Sequence, residues 1–171
     1  MVCLLEPFPK QLGLADLSVQ RIRGVDDIDL PRELCIKAVW FDEHMIELAA
    51  VVKAAPWWGQ AAAYTVPADI AQFAGALKGF AEGGPPAAFE AGAESGYGLI
   101  SLQFFRIDRA GHVACFARLA SSSAESEHRP EHMSKLAVEF RVETWGVIQF
   151  SEQLARLGRT QSGQANLRIE P

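Results

Sequence analysis

The chain has 171 residues, enough for one ordinary domain with a full core and no need of covalent staples. Apolar residues make up 49% and charged residues 22%, a globular composition rather than a disordered one. The formal net charge of −5 comes without a clustered basic patch, which argues against a nucleic-acid-binding face.

The opening run "MVCLLEPFPK" has no basic residue before its short apolar stretch, and Pro7 and Pro9 break it, so it does not read as a secretory signal. Residues 1–15 are expected to be peripheral. "DDID" then supplies the carboxylates Asp26, Asp27 and Asp29. In "ELCIKAVWF" strict alternation puts Leu34, Ile36, Ala38 and Trp40 on one face of a strand. "DEH" is the following turn, with Asp42, Glu43 and His44 at its tip. The next strand, "HMIELAAVVK", sends Ile46, Leu48, Ala50 and Val52 to one side. The run "MIELAAVVKAAPWW" holds Glu47, Lys53 and Pro56 and falls short of a membrane span. "PWWG" turns the corner into "WGQAAAYTV", where Trp58, Ala62, Tyr64 and Val66 share a face. One of Trp57 and Trp58 is expected to anchor the core and the other to offer a contact surface.

The period then changes. "PADIAQFAGALKGF" spaces Ile70, Phe73, Leu77 and Phe80 as a helical stripe, with Pro67 in the first turn and Gly83-Gly84 as the stop. "LISLQFFRI" returns to alternation with Ile100, Leu102 and Phe104 together. "DRAG" is hairpin punctuation, in which Asp108 supports the turn and Gly111 takes the positive φ. In "HVACFARL" the apolar face is Val113, Cys115, Ala117 and Leu119. His112 and Cys115 are three apart and therefore point to opposite faces, so they do not form a nucleophilic or metal pair. "SSSAESEHRPEH" is a loop carrying Glu125, Glu127 and Glu131. Its His128 and His132 have a zinc-like spacing, but Pro130 removes the helix they would need. "KLAVEFRV" turns Leu136, Val138, Phe140 and Val142 inward. "TWGVIQFSEQLARLG" is the second helix, with Val147, Phe150, Leu154 and Leu157 on its stripe, Thr144 as cap and Gly158 as stop. The polar tail 159–171 is expected to be peripheral, although "NLRIE" could add an edge strand.

Both helices follow directly from an alternating strand. Phe73, Leu77 and Phe80 match Phe150, Leu154 and Leu157 in order, while Tyr64 and Val66 match Phe140 and Val142 one residue out of step. An internal duplication and a generic strand-to-helix pattern both remain open. The expected fold is a single α+β domain, a largely antiparallel sheet of about seven or eight strands with two helices packed on one face.

The candidate chemistry is sparse. There is no phosphate-cradling glycine loop, no GxSxG elbow and no CxxC pair, so neither a cofactor nor a metal is expected. Cys3, Cys35 and Cys115 are odd in number and far apart, which suits reduced thiols in a cytoplasmic protein. The ordering over residues 58–157 resembles the WapI-type bacterial immunity proteins and related small proteins: a strand, "DIAQFAGALKGF", a Gly-rich break, "AAFE", "LQFFRIDRAGHV", a strand, "AVEFRVE" and a helix with "FSEQLARL". The resemblance implies a cytoplasmic protein that neutralises a cognate toxin by binding it, with no active-site residues to carry over. Its contact residues would be the acidic tips Asp26, Asp27, Asp29, Asp42 and Glu43, the loop residues Glu125, Glu127 and Glu131, and Trp57 or Trp58. The competing expectation is a small enzyme or ligand carrier with its site in the concave face of the sheet, using His44, His128 or His132.

Overall fold

The structure, a computed structural model, describes residues 32–122 and 133–171. Asp26, Asp27, Asp29, Glu125, Glu127, Glu131, His128 and His132 lie outside the described residues, as do Cys3 and residues 1–15.

Eight strands and two helices follow one another as β1 (Glu33–Phe41), β2 (Ile46–Ala54), β3 (Trp57–Thr65), α1 (Pro67–Ala81), β4 (Ala87–Gly92), β5 (Gly98–Arg106), β6 (Val113–Ser122), β7 (Met133–Val142), α2 (Thr144–Thr160) and β8 (Gln164–Arg168). The fold is α+β with antiparallel pairing throughout, as expected, but the strands divide into two sheets of four. Their orders are β3-β2-β1-β8 and β4-β5-β6-β7. Alternation builds each strand. In β2, Ile46, Leu48, Ala50, Val52 and Ala54 are buried while the residues between them are half-exposed. A period of two therefore yields one packed face and one wetter face.

β1 departs from its own pattern. Leu34, Ile36 and Ala38 face Val52, Ala50 and Leu48, but the pairing then slips, so that Trp40 faces Glu47. A one-residue bulge at Val39 flips everything after it to the other face. Trp40, expected to lie with Leu34 and Ile36, is consequently on the outer side.

Two further local expectations are corrected. Thr144 is not a cap: Glu143 occupies the N-cap position in extended conformation with no side-chain cap bond, and Thr144 opens the helix. Nor does Gly158 stop α2. The helix runs to Thr160, and Gln161 ends it in the left-handed region (φ 53°), its N–H donating to the Leu157 carbonyl. Gly158 is instead the point where the helices touch, since a Cβ there would lie 3.3 Å from both Ile70 Cγ2 and the Pro67 carbonyl oxygen. The end of α1 does carry the glycine signal: Gly83 has φ 108°, and Gly84 N–H donates to the Gly79 carbonyl. Arg106, at the end of β5, completes that terminus. It donates to the carbonyls of Phe80 (2.6 Å) and Gly84 (2.9 Å), and its guanidinium lies 4.6 Å from the centre of the Phe80 ring.

The two sheets exchange their fourth strands. β1-β2-β3 is a meander followed by α1, and the chain then leaves to form β4 beside β5. β5-β6-β7 is a second meander followed by α2, and the chain returns as β8 beside β1. From the helix starts, Pro67 and Thr144, to the fourth strands, Ala87 and Gln164, the halves correspond at an offset of 77, while their first two strands do not keep it. The same offset carries the inward residues Ala63 and Thr65 of β3 onto Phe140 and Val142 of β7. The apparent one-residue slip in the strands disappears because Tyr64 points outward. The tail is also not peripheral: Ala165, Leu167 and Ile169 are buried, and Asn166 N–H donates to Gln153 Oε1 of α2.

The helices cover the inner faces of both sheets and share one apolar core with them. Four rings run through its centre in sequence, Phe89, Phe73, Phe104 and Phe150, with centroid separations of 5.0, 6.2 and 6.3 Å. Cys115 lies in this core opposite Phe104 and Phe140. Burial pushes its thiol far above the ordinary range, leaving almost no thiolate at neutral pH. Iodoacetamide at pH 8 should therefore leave Cys115 unmodified in the folded protein and label it fully in denaturant, as read by peptide mass spectrometry. Half-buried Cys35, raised less by burial and by the Glu33 charge, should react slowly. Rapid labelling of native Cys115 would contradict its place in the core.

Candidate functional site

With both inner faces filled by the helices, the surfaces left to meet a partner are the outer sheet faces, the edges, the turns and the exposed sides of the helices, where Trp145 stands 64% exposed. Among the described residues no three His, Cys, Asp or Glu side chains gather as a metal site would require. His112 and Cys115 point apart as expected. The His112 ring is exposed and lies 2.7 Å from Asp108 Oδ2, while Asp108 Oδ1 accepts from the N–H groups of Gly111 and His112. That cluster holds the β5–β6 hairpin together. No helix among the described residues is long and apolar enough to cross a membrane.

The outer face of the first sheet is different in kind. Its side chains come from alternate positions of four strands: Trp58, Gln60, Ala62 and Tyr64 on β3; Lys53, Val51, Ala49 and Glu47 on β2; Glu33, Cys35, Lys37 and, after the bulge, Trp40 on β1; Arg168, Asn166 and Gln164 on β8. Its centre holds the small side chains of Ala62, Ala49, Val51 and Cys35, with Gln60, Lys37, Asn166 and Gln164 in the same two rows. The ends are raised by aromatics. Trp58 stands at one end, 66% exposed, beside the Lys53–Glu33 ion pair (2.8 Å). Trp40 and Tyr64 stand at the other, 47% and 38% exposed. Tyr64 lies six residue steps along β3 from Trp58, roughly 20 Å.

Tyr97, from the turn between β4 and β5, extends the aromatic end. Trp40 meets Tyr64 edge-on at 6.1 Å and 83°, and Tyr64 meets Tyr97 at 5.7 Å and 41°. Glu47 lies in the same cross-strand row, directly between Trp40 and Tyr64. The negative charge of the nearby Glu47 carboxylate, then burial, hold the Tyr97 phenol above its ordinary pKa. Rings on strands lose little freedom when bound, so an exposed row on a rigid sheet is well suited to contact.

Of the contact residues expected from the sequence, Asp42, Glu43, Trp57 and Trp58 are described. Asp42 and Glu43 occupy the exposed β1–β2 turn, at the Tyr64 end of the sheet. The Asp42 carboxylate is already engaged, accepting from His44 and Met45 N–H (both 2.8 Å), and these bonds lower its pKa. Trp57 and Trp58 open β3 directly after the β2–β3 turn at the opposite end, so the acidic tip and the tryptophans are held apart rather than brought together. The expectation that one of them anchors the core is corrected. Both are exposed, at 63% and 66%, because the turn carries them past the last core layer at Ala54. Sequence reading missed Trp40, Glu47, Tyr64 and Tyr97 as a group. The bulge hid Trp40, and nothing in "ESGYG" announces that its tyrosine returns to the other sheet.

The chain matches no family model, no curated protein and no solved structure.

Proposed function

We propose that this chain is a binding protein of the immunity type, acting in the bacterial cytoplasm and neutralising a cognate toxin by seating it on the outer face of the first sheet. The observation that carries the reading is that face itself: large exposed rings at both ends of a small-residue floor, on strands whose other side is locked into the core. Exposed aromatics of this kind are the residues that dominate protein interfaces, and the floor between them lets a partner approach the backbone. Glu43, free of the turn bonding that occupies Asp42, is the charge best placed to steer a basic partner toward the aromatic end.

The test is co-purification with the protein encoded beside this one, followed by binding kinetics. Trp58→Ala should speed dissociation by roughly thirtyfold, about 2 kcal/mol, with thermal stability unchanged. Glu43→Lys should slow association and weaken its dependence on salt. Binding that survives both Trp58→Ala and Trp40→Ala at full strength would move the interface off this face. Failure to bind any neighbour-encoded protein would remove the immunity reading.

A further inference from the structure

Trp40, Glu47 and Tyr64 form one row across three neighbouring strands, with the carboxylate in the middle. Strands are about 4.8 Å apart, so the two rings rise from either side of the Glu47 strand and meet edge-on at 6.1 Å. Tyr97 closes the row from the other sheet, its ring 5.7 Å from that of Tyr64 and its hydroxyl within the field of that same carboxylate. A purely apolar docking spot would have no use for Glu47. Among the described residues Glu47 makes no ion pair, although Lys37 stands one row away on β1 opposite Ala49 and Lys53 pairs with Glu33. The second sheet shows the contrast. There Glu90 and Glu94 are each taken up by Arg118, and Glu94 by Lys135 as well.

We infer that Trp40, Tyr64, Tyr97 and Glu47 form a receptor for a cationic side chain, an arginine guanidinium presented by the protein partner. The inference rests on the docking reading above and specifies the chemistry of that partner at one point. The electrostatics agree across all four groups. Aromatic faces carry negative potential toward a cation, and the carboxylate adds a full charge. The exposed acidic turn at Asp42 and Glu43 lies at the same end of the sheet. Arginine fits better than lysine. Its flat guanidinium stacks on a ring while two of its N–H groups reach both oxygens of a carboxylate, which a point-like ammonium cannot do together.

The experiment needs no identified partner. Acetyl-Gly-Arg-Gly-amide is titrated into the full ¹⁵N-labelled chain while the tryptophan indole N–H signals are followed, the Trp40 signal being the one lost in Trp40→Leu. The same peptide with citrulline, which has the shape without the charge, is the comparison. The arginine peptide should shift the Trp40 signal saturably, and citrulline should bind about tenfold more weakly or not at all. Glu47→Gln should weaken the arginine response to a similar degree, whereas Glu152→Gln on the exposed face of α2 should leave it intact. Equal responses to arginine and citrulline in the unmutated chain, or no Trp40 response to arginine, would overturn the assignment whatever the variants do. A neighbour-encoded partner whose binding falls on Trp58→Ala, together with no arginine response, keeps the docking face and removes the cation receptor. An arginine response with no protein partner does the reverse.

Discussion

Phe104→Ala should lower the free energy of unfolding by about 3–5 kcal/mol, the range for emptying a fully buried aromatic position. Phe104 is fully buried and stands in the middle of the ring sequence, between Phe73 of α1 and Phe150 of α2. Its removal opens a void where both helices meet the second sheet, and neither helix can settle into it alone. The helices pack on each other through Gly158 and Ile70, so a shift of one carries the other. Urea unfolding followed by far-ultraviolet circular dichroism measures the change. A loss below about 1.5 kcal/mol would mean that the core collapses around the site more freely than this packing allows.

Gly98→Ala should destabilise by about 2–3 kcal/mol for a single added methyl group. β3 passes close over the second sheet, and the Gly98 Cα sits beneath its backbone. A Cβ there would overlap the Ala62 carbonyl oxygen and come within 3.0 Å of the Ala120 carbonyl oxygen. Both obstacles are backbone, so no side-chain rotation relieves them and the sheets must part. Gly92, where a Cβ would press on the Gly98 carbonyl and on Ala63, guards the same crossing. The change has a second readout, since Tyr97 is the preceding residue: moving the strand should separate the Tyr97 ring from Tyr64 and weaken the aromatic end of the outer face. Gly111→Ala is the comparison. Its φ is 93° but nothing lies within 4 Å of a Cβ, so it should show backbone strain of about 1 kcal/mol and no effect on Tyr97. Equal losses at Gly98 and Gly111 would refute the close crossing.

The sequence by itself determined most of what depends on neighbours along the chain, the two ends of α2 excepted. Alternation marked the inward residues of β2, β5, β6 and β7, because a strand with one packed face has a period of two. The 3.6-residue stripe marked Ile70, Phe73, Leu77 and Phe80 in α1, and Val147, Phe150, Leu154 and Leu157 in α2. The Asp108–Gly111 spacing announced its hairpin, in whose turn His112 stays exposed while Cys115 faces the core. The α+β class follows from these local periods together.

Tertiary structure alone decided how the elements combine. Periodicity states that a strand has an apolar face, not which sheet receives it, so eight strands read as one sheet became two. The tail looked polar because β8 contributes only Ala165 and Leu167 to the core, yet pairing with β1 and bonding to Gln153 make it integral. A bulge leaves no mark in composition, and the one at Val39 moved Trp40 from the expected inner face to the outer one. One of Trp57 and Trp58 reads as a core anchor on size alone, but burial depends on what stands opposite, and both are exposed beyond Ala54. The candidate site depends on those same long-range relations. Trp40, Glu47, Tyr64 and Tyr97 span more than fifty positions of the chain and three strands and a turn of the fold, so only the strand register and the β3 crossing put them together.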